Sequence, residues 1–140
     1  MEIKIKKINK IVNPKYQSDG ASGFDCQSTI DVELSSNERC RIPLGICIEI
    51  PPGYEGQVRS RSGLSFNEGL VVIPGTIDSD YRGEICAIVV NMDNRIRKIS
   101  KGQRIAQFVI APIIRADFDF SDELSSTERG TNGFGSTGIC

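Results

Sequence analysis

The sequence predicts an all-β domain of many short strands: a sandwich, jelly roll or barrel. Three observations carry that prediction. Apolar residues recur with a period of two. Turn-forming pairs punctuate the chain at short intervals. No long segment shows a helical period. The 140 residues suit one domain, and a composition of 39% hydrophobic and 25% charged residues is that of an ordinary globular chain.

Taken in order, the elements run as follows. Ile3 and Ile5 alternate with lysines and open a strand. Residues 28–34 alternate more weakly. In residues 41–50 the even positions are Ile42, Leu44, Ile46, Ile48 and Ile50, and the odd ones are Arg41, Pro43, Gly45, Cys47 and Glu49. That pattern predicts one half-buried strand with one apolar face. One short helix fits around Ser62–Asn67. Residues 85–92 are apolar on both parities, so a second sheet or another subunit should cover the strand they form. Residues 104–111 read similarly. Turns are expected at Asn13-Pro14, Asp19-Gly20, Pro51-Pro52-Gly53, Asn67-Glu68-Gly69, Pro74-Gly75, Arg82-Gly83, Asp93-Asn94 and Lys101-Gly102. The last twenty residues contain four Gly, four Ser and three Thr. Such a segment cannot offset its own ordering entropy. The chain is therefore expected to divide into a β domain over 1–120 and a flexible Gly-rich arm over 121–140.

Composition excludes several chemistries. The chain has no His, which removes Ser-His-Asp and Cys-His nucleophile pairs, HExxH zinc sites and an imidazole base. A net charge of -1 argues against a bulk nucleic-acid or anionic-membrane binder. The apolar runs Ile85–Val90 and Phe108–Ile114 fall far short of a membrane span. The N-terminus alternates Ile and Lys, unlike a signal peptide. Five Cys, at 26, 40, 47, 86 and 140, form no CxxC. They are expected to be reduced thiols in a cytoplasmic setting, or in the nucleus or a host cytosol for a viral chain. Cys40, Cys47 and Cys86 lie in apolar strands and are expected to pack, while Cys26 and Cys140 have no derivable role.

Three segments could carry chemistry. Arg59 to Ser65 places two arginines, hydroxyls and Gly63 at the start of the one expected helix, where free N–H groups and guanidinium forks suit phosphate, though a capped, solvated turn fits equally. Gly75 to Glu84 puts Asp78 and Asp80 beside Tyr81 in a turn between apolar strands. In a chain without His, a carboxylate is the natural group to activate water, although acids also simply form turns. Arg129 to Gly138 has the glycine spacing of a P-loop but lacks its Lys and following helix. A lid over an anionic, aromatic ligand, or a solubilising tail, would account for it.

Five segments in order resemble the five motifs of the trimeric dUTP pyrophosphatases (dUTPases). They are Ala21-Ser22-Gly23-Phe24-Asp25, Arg61-Ser62-Gly63-Leu64-Ser65, Gly75 through Gly83, Gly102-Gln103-Arg104-Ile105-Ala106-Gln107, and Arg129 through Gly138. The resemblance spans nearly the whole chain. Gln103 stands where an acid is usual, and Asn132 where the arm often has Gly.

The resemblance implies a β jelly roll of the β-clip type, assembled as a homotrimer whose sites are shared between subunits and covered by the arm. It implies hydrolysis of dUTP to dUMP and pyrophosphate, with Mg²⁺ on the triphosphate and Asp25 supporting the metal through water. By the same similarity Asp78 is the catalytic base. Arg61, Ser62, Gly63 and Gln107 bind phosphates. Gly75, Thr76 and Ile77 belong to the hairpin whose backbone reads uracil, and Tyr81 stacks under the deoxyribose. Arg129 reaches the γ-phosphate, Phe134 covers the base, and Gly135 and Ser136 join the substrate-binding set. Two alternatives share the fold: a dCTP deaminase-type relative, and a regulatory binding protein switched by nucleotide. The stretch Ile77-Asp78-Ser79-Asp80-Tyr81 has the hydrolase form.

Overall fold

Alternation builds the core. The computed structural model describes residues 1–8 and 10–133. Its elements in order are β1 (Lys4–Lys7), β2 (Phe24–Gln27), β3 (Val32–Leu34), β4 (Arg39–Pro43), β5 (Ile46–Glu49), β6 (Tyr54–Ser60), α1 (Ser62–Glu68), β7 (Leu70–Ile73), β8 (Gly75–Ile77), β9 (Cys86–Asn91), β10 (Arg97–Ile99) and β11 (Arg104–Pro112). All described strand pairs are antiparallel. The architecture is an all-β jelly roll. One sheet has the order β2-β11-β6-β8 and a second β4-β9-β7, with the pairs β1-β5 and β10-β3 alongside.

Ile42, Leu44, Ile46, Ile48 and Ile50 are all buried, as the period of two predicts. They do not form the single strand expected over 41–50. Gly45 adopts a left-handed φ of 72°, which ends β4 and lets β5 turn away to pair with β1. The Gly45 N–H then donates to Glu84 Oε1 at 3.0 Å, and its carbonyl accepts from Ile8 N–H at 2.9 Å. The break reroutes hydrogen bonds without changing which side chains face inward. Of the weak alternation at 28–34, only Val32–Leu34 becomes strand, because Ser28 Oγ ties its own turn through the N–H and C=O of Ile30.

Helix α1 forms where expected. It buries one residue, Leu64, and ends at Gly69, whose φ of 66° permits a bond from its N–H to the Ser65 carbonyl at 3.1 Å. In β9, Ala87 and Val89 face the core, and Ile85 just before the strand is buried with them. The opposite parity forms an apolar sheet face: Ile88 pairs with Ile73 and with Arg41, and Val90 pairs with Val71. Ile73 and Ile88 are each 42% exposed in the single chain. Residues 113–133 form no strand or helix and lie almost wholly exposed, Phe118 and Phe120 included. No helix among the described residues is long and apolar enough to cross a membrane.

Candidate active site

One outward-facing set of side chains lies on the β2-β11-β6-β8 sheet. Phe24 and Phe108 pair on its inner face and stack with ring centroids 5.4 Å apart. Pleating sends the next residues outward, so Asp25 pairs with Gln107, which in turn pairs with Arg59. Two residues on, at the end of β6, Arg61 emerges on the same side and starts α1.

The Asp25 carboxylate is largely buried and holds two guanidiniums. Arg61 Nε donates to Oδ1 at 2.9 Å, and Arg104 Nη1 donates to Oδ2 at 3.0 Å. Arg61 Nη1 also donates to the Arg104 carbonyl at 3.0 Å. Two cations against one anion leave the cluster net positive. Gln107 is fixed by donation from Nε2 to the Ser60 carbonyl at 2.9 Å. Gly23 leaves room for it, since a Cβ there would lie 3.2 Å from Gln107 Oε1 and 2.8 Å from the Phe108 carbonyl oxygen.

Asp25, Arg61 and Gln107 line a cavity of about 380 Å³ with Ser62, Gly63, Leu64, Asn67 and Glu68. Arg61 occupies the N-cap position of α1 and supplies no side-chain bond to the helix start, so the first-turn N–H groups lack a side-chain cap. Above Gly63, a Cβ would meet nothing within 4 Å. A guanidinium held rigid by a carboxylate, an amide and open N–H groups together make an anion cradle.

A second cavity, of about 340 Å³, surrounds the 75–84 hairpin. Gly75, Thr76, Ile77, Asp78, Tyr81 and Glu84 line it with Arg41, Cys86 and Ile88. The turn is internally tied: Tyr81 N–H donates to the Asp78 carbonyl at 3.1 Å, and Arg82 Nη1 to the Ser79 carbonyl at 2.6 Å. The Tyr81 hydroxyl donates to the Glu84 carbonyl at 3.1 Å. Among the described residues, no hydrogen bond or ion pair occupies the exposed Asp78 carboxylate. Burial, and Glu84 after it, push the Cys86 thiol up, so it stays protonated at neutral pH and is a poor nucleophile. Among the described residues, strand β8 is the edge of its sheet and pairs only with β6, which leaves one side of its backbone free to bond a ligand.

The structure brings Asp25, Arg61, Ser62, Gly63 and Gln107 together. It brings Gly75, Thr76, Ile77, Asp78 and Tyr81 together separately. The two cavities share no lining residue. They lie toward opposite ends of β6: Ile77 pairs with Gly56 near its start, and Arg61 follows its last residue, Ser60. Arg129 is exposed and folds back on its own turn, its Nε donating to the Asn132 carbonyl at 2.9 Å. Phe134, Gly135 and Ser136 lie outside the described residues. Cys26, without a role from sequence, is buried against Ala106 in the core. Sequence reasoning missed Arg104, Ser60 and Glu84. All three lay inside segments singled out above, but Ser60 and Glu84 act through backbone carbonyls or a turn contact that no side-chain pattern announces.

Comparison with known proteins gives one answer throughout. A family model described as dUTPase matches residues 9–138. The deoxyuridine 5'-triphosphate nucleotidohydrolase of Nautilia profundicola is 51% identical over 141 residues, covering 99% of each chain. That of Bdellovibrio bacteriovorus is 50% identical over 144 residues, covering 99% of this chain and 97% of its own. Among solved structures, the dUTPase of Staphylococcus bacteriophage 80alpha with dUpNHpp superposes with a TM-score of 0.93 at 29% identity, covering 99% of each chain.

Proposed function

The chain belongs to the dUTPase family, and from that premise we propose that it hydrolyses dUTP to dUMP and pyrophosphate by in-line attack of water on the α-phosphorus. The observation that carries the reading is the anion cradle in which Asp25 fixes Arg61 beside Ser62, Gly63 and Gln107. Curated relatives near 50% identity share the nucleotidohydrolase name, which favours hydrolysis over the deaminase alternative.

Residue roles follow from what each group can do. Arg61, the N–H groups at the start of α1 and Gln107 neutralise and orient phosphate oxygens, so positioning and charge stabilisation carry most of the catalysis. The unoccupied carboxylate of Asp78 accepts the proton of the attacking water. The free edge of β8 offers peptide N–H and C=O groups to uracil. Cytosine presents its donor and acceptor reversed and would leave those groups unpaired. Tyr81 stacks under the deoxyribose and fills the space of a 2′-hydroxyl. Arg129 and the arm beyond it close over the bound triphosphate.

Magnesium fits only in a limited sense. Among the described residues no three His, Cys, Asp or Glu side chains cluster, and both Asp25 oxygens engage guanidiniums. That donor set suits a hard cation ligated mainly by phosphate oxygens and water, with Asp25 reached through water. When bound, the ion would neutralise charge on the triphosphate.

The separation of the two cavities supports a homotrimer whose sites combine the hairpin of one subunit with the cradle of another. The apolar face formed by the exposed Ile73 and Ile88 and the half-buried Val71 and Val90 supports burial against further copies. The four free thiols among the described residues suit a reducing, cytoplasmic compartment. A pyrophosphate-release assay with dUTP, UTP, dTTP and dCTP, with and without Mg²⁺, tests the function. Rapid release from dUTP alone is expected. Ammonia release from dCTP without pyrophosphate overturns the reading in favour of a deaminase.

A further inference from the structure

We infer that Arg104 is a positioning residue of the anion cradle, acting on Arg61 through Asp25. The inference rests on the dUTPase reading only for the identity of the anion. Along a regular strand, residues three apart point to opposite faces, so Arg104 and Gln107 could not serve one site. Strand β11 is not regular there. Gln107 lies opposite Asp25, Ala106 opposite Cys26 and Arg104 opposite Gln27, which leaves Ile105 as an extra residue. Ile105 and Ala106 are both fully buried. The bulge therefore absorbs one residue into the core face and turns Arg104 outward, onto the side of the sheet that carries Asp25 and Gln107.

From that position Arg104 controls Arg61 twice. Its guanidinium holds Asp25 Oδ2 at 3.0 Å, which leaves Oδ1 aimed at Arg61 Nε at 2.9 Å. Its carbonyl, displaced by the same bulge, accepts from Arg61 Nη1 at 3.0 Å. Arg61 can rotate away only by breaking both bonds. Arg104 lines a neighbouring cavity with Asp25, not the cradle itself. It thus works from behind the carboxylate, without touching the anion. Without it, Asp25 keeps one cationic partner, and the cluster that faces incoming phosphate falls from net positive to neutral.

Inorganic tripolyphosphate, the α,β-imido analogue of dUTP, and deoxyuridine are the probes. Their affinities are measured for wild type, Arg104→Gln, Arg104→Lys, Asp25→Asn and the Asp25→Asn, Arg104→Gln double variant. Loss of the charged clamp should weaken tripolyphosphate and the analogue about tenfold in Arg104→Gln. Deoxyuridine should bind as before, and Arg104→Lys should keep most of the affinity. The double variant should match Asp25→Asn to within about twofold, since the two residues act as a unit. Unchanged tripolyphosphate binding in Arg104→Gln overturns the inference. So does full additivity, which means direct contact with the anion, or an equal loss for deoxyuridine, which means general damage. If wild type binds tripolyphosphate but releases no pyrophosphate from dUTP, the dUTPase reading falls while the Arg104 inference remains tested by the cycle.

Discussion

Gly83 lies against the phenol ring of Tyr81, so close that a Cβ at position 83 would sit 2.3 Å from the hydroxyl oxygen and 2.5 Å from Cζ. Gly83 is not among the residues with positive φ, so its backbone does not demand glycine. The ring demands it. Tyr81 is tied at its far end by one bond, to the Glu84 carbonyl. In Gly83→Ala the ring will therefore move and the backbone will stay, at small cost in stability. If Tyr81 excludes the 2′-hydroxyl, that movement should reduce discrimination. The expected outcome is a fall of about tenfold or more in the ratio of kcat/KM for dUTP over UTP, measured by pyrophosphate release. A parallel loss on both nucleotides, with the ratio intact, would mean that the contact serves folding alone.

Asp78 and the arm should fail in different ways. Asp78→Asn keeps the hairpin geometry but removes the proposed proton acceptor, so kcat should fall by at least about a hundredfold while the imido analogue still binds. Deletion from Glu128 onward should leave the β domain folded and severely reduce activity, if the arm is the lid proposed above. If each site takes its hairpin and its arm from different subunits, as proposed above, mixed trimers of these two chains should regain part of the activity. Absence of recovery in verified mixed trimers would place each whole site within one subunit.

The sequence disclosed the inward face of most strands because burial alone sets that parity. Ile42 through Ile50 show it: the strand breaks at Gly45, yet the buried set is unchanged. The break was hidden because Gly45 continues the alternation as a small residue and reveals its left-handed φ only in the fold. The bulge at Ile105 was hidden for the opposite reason. Two adjacent apolar residues, Ile105 and Ala106, look like a strand covered on both faces, whereas both in fact face inward. The candidate residues were legible as five motifs, but not as two separate cavities, since spacing along a chain carries no information about which end of a sheet a turn occupies.

The apolar parity of β9 yields a prediction about assembly. Ile88 stands between Arg41 on β4 and Ile73 on β7, and it also borders the hairpin cavity. A carboxylate there would be desolvated by any subunit packed on this face, at a cost of several kcal/mol, roughly, if unpaired. If the proposed trimer buries this face, Ile88→Glu should convert the protein to monomers in light scattering and abolish turnover, with the monomer's β spectrum retained. A trimer of wild-type stability in this variant would show that the interface lies elsewhere.

Cys26 gives a prediction in alkali. Burial in the core, and the neighbouring Asp25 charge after it, push its thiol from 9.0 up to about 12. The folded state thus holds the proton more tightly than the unfolded chain does. Its contribution to stability is whole below pH 9.0 and is lost as pH rises toward about 12, because only the unfolded chain gains by ionising. Cys26→Ala has no such group. At neutral pH it should be less stable than wild type, because the removed sulfur leaves a small void beside Phe24 and Ala106. The gap between the two proteins should narrow steadily above about pH 9 in denaturant titrations. A gap that stays constant through that range would mean that the Cys26 thiol ionises as easily in the fold as out of it.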